Sequence, residues 1–219
     1  VSLRIKVCGL STEETLDAAL DAGASMVGFV FHPKSPRFVT PERAAALAAQ
    51  ARGKADIVAL IVDFTPETAR HLTEIVRPDW LQLHGRETPD LIGATRAATG
   101  LPVLKAAGVA EPADLAPLPA LAGAADLVLI DAKPPRDAAY PGGHGKPFDW
   151  AILSELPPTL PFMLSGGLTV DSVGTAIRSL RGQGLALCGV DVSSGVERAP
   201  GVKDSALIRA FVAGARAAG

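Results

Sequence analysis

The sequence predicts a single-domain α/β protein folded as a closed (β/α)8 TIM barrel, and three features predict it. Eight short apolar runs alternate with longer helical segments along 219 residues, as expected for parallel strands covered on both faces. Loops carrying glycine and serine, Ser165-Gly166-Gly167 and Ser193-Ser194-Gly195, follow the seventh and eighth runs, where such barrels hold phosphate. Strict βα alternation also fits an open doubly wound sheet. The dinucleotide fingerprint of that sheet is missing, because Cys8-Gly9-Leu10-Ser11-Thr12 follows the first run where Gly-x-Gly-x-x-Gly would stand.

The predicted strands are residues 3–7, 26–31, 57–62, 80–83, 103–106, 127–130, 162–164 and 186–190. Ser11-Thr12-Glu13-Glu14 opens the first helix, and Thr40-Pro41-Glu42 and Thr65-Pro66-Glu67 open the next two. In the last two, threonine is the N-cap and proline takes the first helical position, where its missing N–H costs nothing. Gly23 and Gly100 stop helices ahead of the following strands. Residues 133–148 are rich in proline, glycine and charge. They are read as a mobile loop over the catalytic face, between the sixth strand and its helix.

Composition bounds the function. With 48% hydrophobic residues the chain can bury one sizeable core. A net charge of -2 and a pI near 6.1 leave no basic footprint for nucleic acid. No apolar run spans a bilayer and no charged-then-apolar leader is read, so neither a membrane partner nor export is expected. Two cysteines, Cys8 and Cys188, form neither a disulfide framework nor a metal spacing. The expected compartment is a reducing cytoplasm, and no metal is expected.

Two ionisable groups stand at the ends of separate strands. Cys8 closes Arg4-Ile5-Lys6-Val7-Cys8 before Gly9, and Asp131 closes Leu127-Val128-Leu129-Ile130-Asp131. Catalytic residues of such barrels sit at C-terminal strand ends. There a thiol can take a proton and a carboxyl in a partly apolar mouth can give one. Cys188, within Leu185-Ala186-Leu187-Cys188-Gly189, is assigned to the core. Asp191 fits local partners among Ser193, Ser194 and Gly195 as well as it fits a substrate. His84, after Leu81-Gln82-Leu83, fits a hydrogen-bonded structural histidine as well as a substrate contact. Gly166, Gly167, Ser193 and Ser194 are expected to offer donors to a phosphate monoester, with a short helix after the last strand adding its N-terminus. Arg37, between Pro36 and Phe38, is expected to fork onto a substrate carboxylate opposite the phosphate loops. Lys6 is read as facing away from Cys8.

These pieces, in this order, resemble the phosphoribosylanthranilate isomerase family over essentially the whole chain. The matching motifs are Lys6-Val7-Cys8-Gly9, Gly28-Phe29-Val30-Phe31, Ser35-Pro36-Arg37, Leu81-Gln82-Leu83-His84-Gly85 and Leu129-Ile130-Asp131. Gly142-Gly143-His144-Gly145, Phe148-Asp149-Trp150, Leu164-Ser165-Gly166-Gly167-Leu168 and the run from Asp191 to Glu197 complete the set. The resemblance implies a cofactor-free Amadori rearrangement of a phosphosugar-anthranilate substrate. Cys8 would be the base and Asp131 the acid, Arg37 would hold the anthranilate carboxylate, and the glycine and serine loops would hold the phosphate. His144 and Ser165 stand where the family commonly has Thr or Ser and Ala. An indole-glycerol-phosphate synthase would use strand-end lysine and glutamate, and Lys105 is the only strand-end lysine of note. A pentose-phosphate epimerase would need a metal site, and a non-catalytic phosphosugar-binding regulator would need neither Cys8 nor Asp131.

Overall fold

A computed structural model describes residues 2–133 and 148–219. The loop expected over residues 133–148 therefore lies outside the described residues except at its two ends. Eight strands run in order: β1 (Arg4–Cys8), β2 (Met26–Val30), β3 (Asp56–Ile61), β4 (Trp80–Leu83), β5 (Val103–Val109), β6 (Leu127–Ala132), β7 (Phe162–Leu164) and β8 (Leu187–Val192). Neighbours pair in parallel, and β8 returns to β1 with Lys6 opposite Asp191, which closes the barrel. Strands β5 and β6 run further than expected, so Asp131 is a strand residue.

The expected helix starts form. The Thr12, Thr40 and Thr65 side chains accept from the backbone N–H three residues on, opening α1 (Glu13–Ala22), α2 (Pro41–Ala51) and α3 (Pro66–Val76). Thr88-Pro89 repeats the device at α4 (Pro89–Thr99). Then come α5 (Leu118–Ala124), α6 (Val173–Gly182) and α7 (Ser205–Ala218). After β6 the described chain offers a 3-10 turn, Trp150–Glu155, in place of the expected α-helix. Pro157 and Pro158 follow it and forbid its extension.

Strand alternation sorts side chains into two cores. One row of each strand meets the helices in the larger apolar shell, with Phe29, Phe162 and Phe211 among its members. The other row points inward. Its lower part is an apolar plug of Met26, Val58, Leu104, Ala106, Leu127, Leu129 and Met163. Cys188 is half-buried against this plug, with its Sγ 3.1 Å from the Phe162 carbonyl oxygen. Toward the C-terminal ends of the strands the inner row turns polar, and the functional groups gather there.

Candidate active site

Lys6 and Cys8 are two residues apart on β1 and so share its inner face. The expectation that Lys6 faces away fails for this reason. The Lys6 ammonium is fully buried and donates to Asp191 Oδ1 at 2.8 Å across the β1–β8 seam. Asp191 Oδ2 accepts from Ser165 Oγ at 3.0 Å. Asp191 thus takes its partners from β1 and from the end of β7, not from the residues that follow it. A methyl group on Gly28 would stand 2.9 Å from Cys8 Sγ and 3.2 Å from Lys6 Nζ, so only glycine leaves room for both. Burial pulls the Lys6 pKa down, but the Asp191 and Cys8 charges outweigh it and hold the value above normal. Burial pushes the Cys8 thiol up, against the pull of Lys6.

On the opposite wall His84 and Asp131 meet, with His84 Nε2 3.2 Å from Asp131 Oδ2. Asp131 Oδ1 accepts from the Ala132 N–H at 2.8 Å. His84 Nδ1 lies 3.2 Å from Gln82 Nε2, because His84, one residue past β4, is two from Gln82 and keeps to the same inner side. Lys105, by contrast, projects outward from β5. It is buried and bonds Glu87 at 2.7 Å and the Gly85 carbonyl oxygen at 2.8 Å, so it is not a strand-end lysine of the barrel mouth.

Arg37 is buried rather than solvated, and its Nε and Nη2 donate to the two Glu197 carboxylate oxygens at 2.7 and 2.8 Å. Glu197 opens a hairpin after β8, strands β9 (Glu197–Ala199) and β10 (Val202–Lys203). Arg37 is therefore tied to the chain after the eighth strand. It does not stand opposite it, because only β1 separates β2 from β8. Lys203 donates to Glu197 at 2.8 Å and to the Ser193 carbonyl oxygen at 2.8 Å, and burial lowers its pKa to about 8. Burial raises the Glu197 carboxyl, but bonds from Arg37 and the Lys203 charge outweigh it and leave the pKa low.

The loops after β7 and β8 lie together. Gly166 and Gly167 both have positive φ, and a Cβ on Gly166 would fall 2.3 Å from the Ala132 nitrogen, so glycine is required where this loop passes the end of β6. After β8 a single 3-10 turn, Ser194–Val196, stands where a short helix was expected. The Ser193 hydroxyl donates to the Cys8 carbonyl oxygen at 3.1 Å, which fastens this loop to the end of β1.

The fold thus brings Cys8, Asp131, His84 and Asp191 to one barrel mouth, with Arg37 and the two loops at its rim. Lys6, Gln82, Glu197 and Lys203 also belong to this assembly, and sequence reading did not assign them there. Period-two alternation from Cys8 and His84 marks Lys6 and Gln82, while Glu197 and Lys203 are placed only by tertiary contact. Among the described residues no group of three His, Cys, Asp or Glu side chains is arranged to hold a metal ion. The site joins a buried cation beside a thiol with a carboxyl faced by a backbone N–H and an imidazole nitrogen across the mouth, an arrangement suited to moving protons on and off carbon and oxygen.

Residues 5–214 match the family described as N-(5'phosphoribosyl)anthranilate (PRA) isomerase. The N-(5'-phosphoribosyl)anthranilate isomerase of Nitrobacter hamburgensis is 54% identical over 218 residues, covering 100% of this chain and 95% of the relative. The crystal structure of the phosphoribosyl anthranilate isomerase of Thermotoga maritima superimposes with a TM-score of 0.87 at 33% identity, covering 98% of this chain and 99% of that one. A phosphoribosyl anthranilate isomerase crystallised with reduced 1-(o-carboxyphenylamino)-1-deoxyribulose 5-phosphate gives a TM-score of 0.84 at 30% identity over 98% and 99% of the two chains. With fold, barrel mouth and full-length similarity in agreement, the chain belongs to the N-(5'-phosphoribosyl)anthranilate isomerase family, the isomerases of tryptophan biosynthesis.

Proposed function

We propose that this isomerase converts N-(5'-phosphoribosyl)anthranilate to 1-(2-carboxyphenylamino)-1-deoxyribulose 5-phosphate with Cys8 as general base and Asp131 as general acid. The observation that carries the assignment is the placement of both groups, buried, on the inner row at the C-terminal ends of β1 and β6. Asp131 gives a proton to the furanose ring oxygen as the C1–O bond breaks, and the nitrogen lone pair forms the Schiff base. That cation acidifies the C2–H bond, and the Cys8 thiolate removes the proton. The resulting enolamine tautomerises, with C1 gaining a proton and the C2 hydroxyl losing one. Only protons move and no net oxidation occurs, so the chemistry calls for no cofactor.

The surroundings fit these roles. Lys6 stabilises negative charge as it forms on Cys8, and the bond to Asp191 locks the ammonium in place. Gly166, Gly167, Ser193 and Ser194 hold the phosphate, chiefly through backbone N–H groups, since the Ser193 hydroxyl already serves Cys8 and Lys203. Glu197 orients the Arg37 guanidinium toward the anthranilate carboxylate. Anchoring the substrate at both ends sets the sugar between acid and base. The barrel closes only when β1 meets β8, which supports the reading of the chain as one domain. Membership of a family of tryptophan-biosynthesis isomerases supports an enzyme acting on a free small molecule in the cytoplasm; among the described residues no helix is long and apolar enough to cross a membrane.

The test is loss of phosphoribosylanthranilate fluorescence on adding the purified protein. Tight binding without fluorescence loss would leave a phosphosugar-binding protein instead. Arg37→Ala gives a second check. A charge-assisted pair is worth about 1.5–3 kcal/mol, so kcat/KM for the natural substrate should fall roughly ten- to a hundredfold or more. An analogue without the carboxylate should be affected far less. Both substrates meet the same variant, so any damage to the fold from unpairing Glu197 cancels in the comparison. Equal losses on both would make Arg37 structural.

A further inference from the structure

We infer that Gln82 is a positioning residue that sets the tautomer of His84 and so presents an N–H to Asp131, an inference that rests on the acid role given to Asp131 above. Gln82 is 1% exposed on the inner row of β4, with Leu60 and Leu104 as its register neighbours. Its Nε2 lies 3.2 Å from His84 Nδ1, and its Oε1 has no hydrogen-bond partner among the described residues. A buried carbonyl oxygen without a donor is costly, and methionine, of similar volume, would sit between the leucines without that cost. The amide supplies the contact to Nδ1 and nothing else polar. A local rule broken in this way is expected where function requires it.

The contact has a chemical consequence. An amide nitrogen only donates, so Nδ1 must accept, and the proton of a neutral imidazole then sits on Nε2. Nε2 is the atom 3.2 Å from Asp131 Oδ2, while Oδ1 already takes the Ala132 N–H. Once Asp131 has given its proton to the sugar ring oxygen, its new carboxylate is met by two N–H groups, and no proton leaves His84. In the opposite tautomer a ring lone pair would face that carboxylate and repel it. Gln82 does all this without touching substrate.

The tautomer is read directly by nitrogen NMR of histidine-labelled protein at alkaline pH, with the His84 signal assigned by its loss in His84→Gln. The wild type should show a protonated Nε2 and an unprotonated Nδ1. Gln82→Met should lose that bias and lower kcat about tenfold or more with KM unchanged. Gln82→Glu, which keeps the side-chain volume and adds an acceptor, should place a proton on Nδ1. A wild-type ring proton on Nδ1, or a Gln82→Met protein with both tautomer and kcat unaltered, would overturn the inference. Should Gln82→Met not fold, the wild-type and Gln82→Glu spectra decide the matter alone. Turnover by Asp131→Asn would instead defeat the acid assignment and leave the tautomer result standing, so the two failures are distinguishable.

Discussion

Replacing Cys8 with serine is expected to lower turnover by about 10²- to 10⁴-fold, the usual contribution of a positioned base, with the fold intact. Serine fits the space that Gly28 leaves for the thiol and keeps the Lys6–Asp191 pair. What it lacks is acidity, because a hydroxyl at neutral pH forms almost no anion. The same site predicts the pH dependence. Burial holds the Cys8 thiol above its ordinary value, although Lys6 pulls it down, so the free enzyme carries the neutral thiol at neutral pH. Below the thiol pKa the thiolate fraction rises about tenfold per pH unit, so the rate at which iodoacetamide inactivates the enzyme, which reads the thiolate alone, should climb between about pH 7 and 9. Stopped assays of both proteins across that range, with circular dichroism to confirm folding, make the check. A wild-type inactivation rate that stays flat over that range, or near wild-type turnover by Cys8→Ser, sinks the assignment.

Asp131→Asn should be comparably damaging, again by about 10²- to 10⁴-fold in kcat, for a different reason. Asparagine keeps the size of the side chain and an oxygen that can accept from the Ala132 N–H. It has no proton to give to the ring oxygen. The groups proposed to anchor the substrate, Arg37 and the β7 and β8 loops, are untouched, so affinity for a product analogue, measured by calorimetry, should stay near that of the wild type. Loss of binding along with turnover would move Asp131 from acid to anchor. Turnover at a comparable rate would remove it from the chemistry.

Much of the candidate site was legible because barrel chemistry sits at strand ends and strand ends can be read locally. Cys8 before Gly9 and Asp131 after Leu127-Val128-Leu129-Ile130 are visible within a few residues. The partners of Asp191 were misread by the same local habit. Its serines are near in sequence, but barrel closure sets it opposite Lys6 and within reach of Ser165. Lys6 itself was available to period-two alternation, and counting two residues from Cys8 places it on the inner face. No such rule exists for Glu197 and Lys203, which the hairpin after β8 folds back onto Arg37 and Ser193.

The sequence alone determined the eight barrel strands, their order and the first helix starts, because apolar runs of strand length, threonine–proline helix starts and glycine stops are local properties of the chain. It also marked Cys8 and Asp131, the residues proposed to move the protons, since each stands at the end of its own strand. The tertiary structure decided which charges neighbour which. A closed barrel brings its first and last strands side by side, and contacts such as Lys6 with Asp191 or Arg37 with Glu197 span 185 and 160 residues of chain. Burial is what pushes the Cys8 thiol up, and closure is what sets Asp191 against Lys6. A pKa belongs to an environment, and this environment exists only once β8 has met β1.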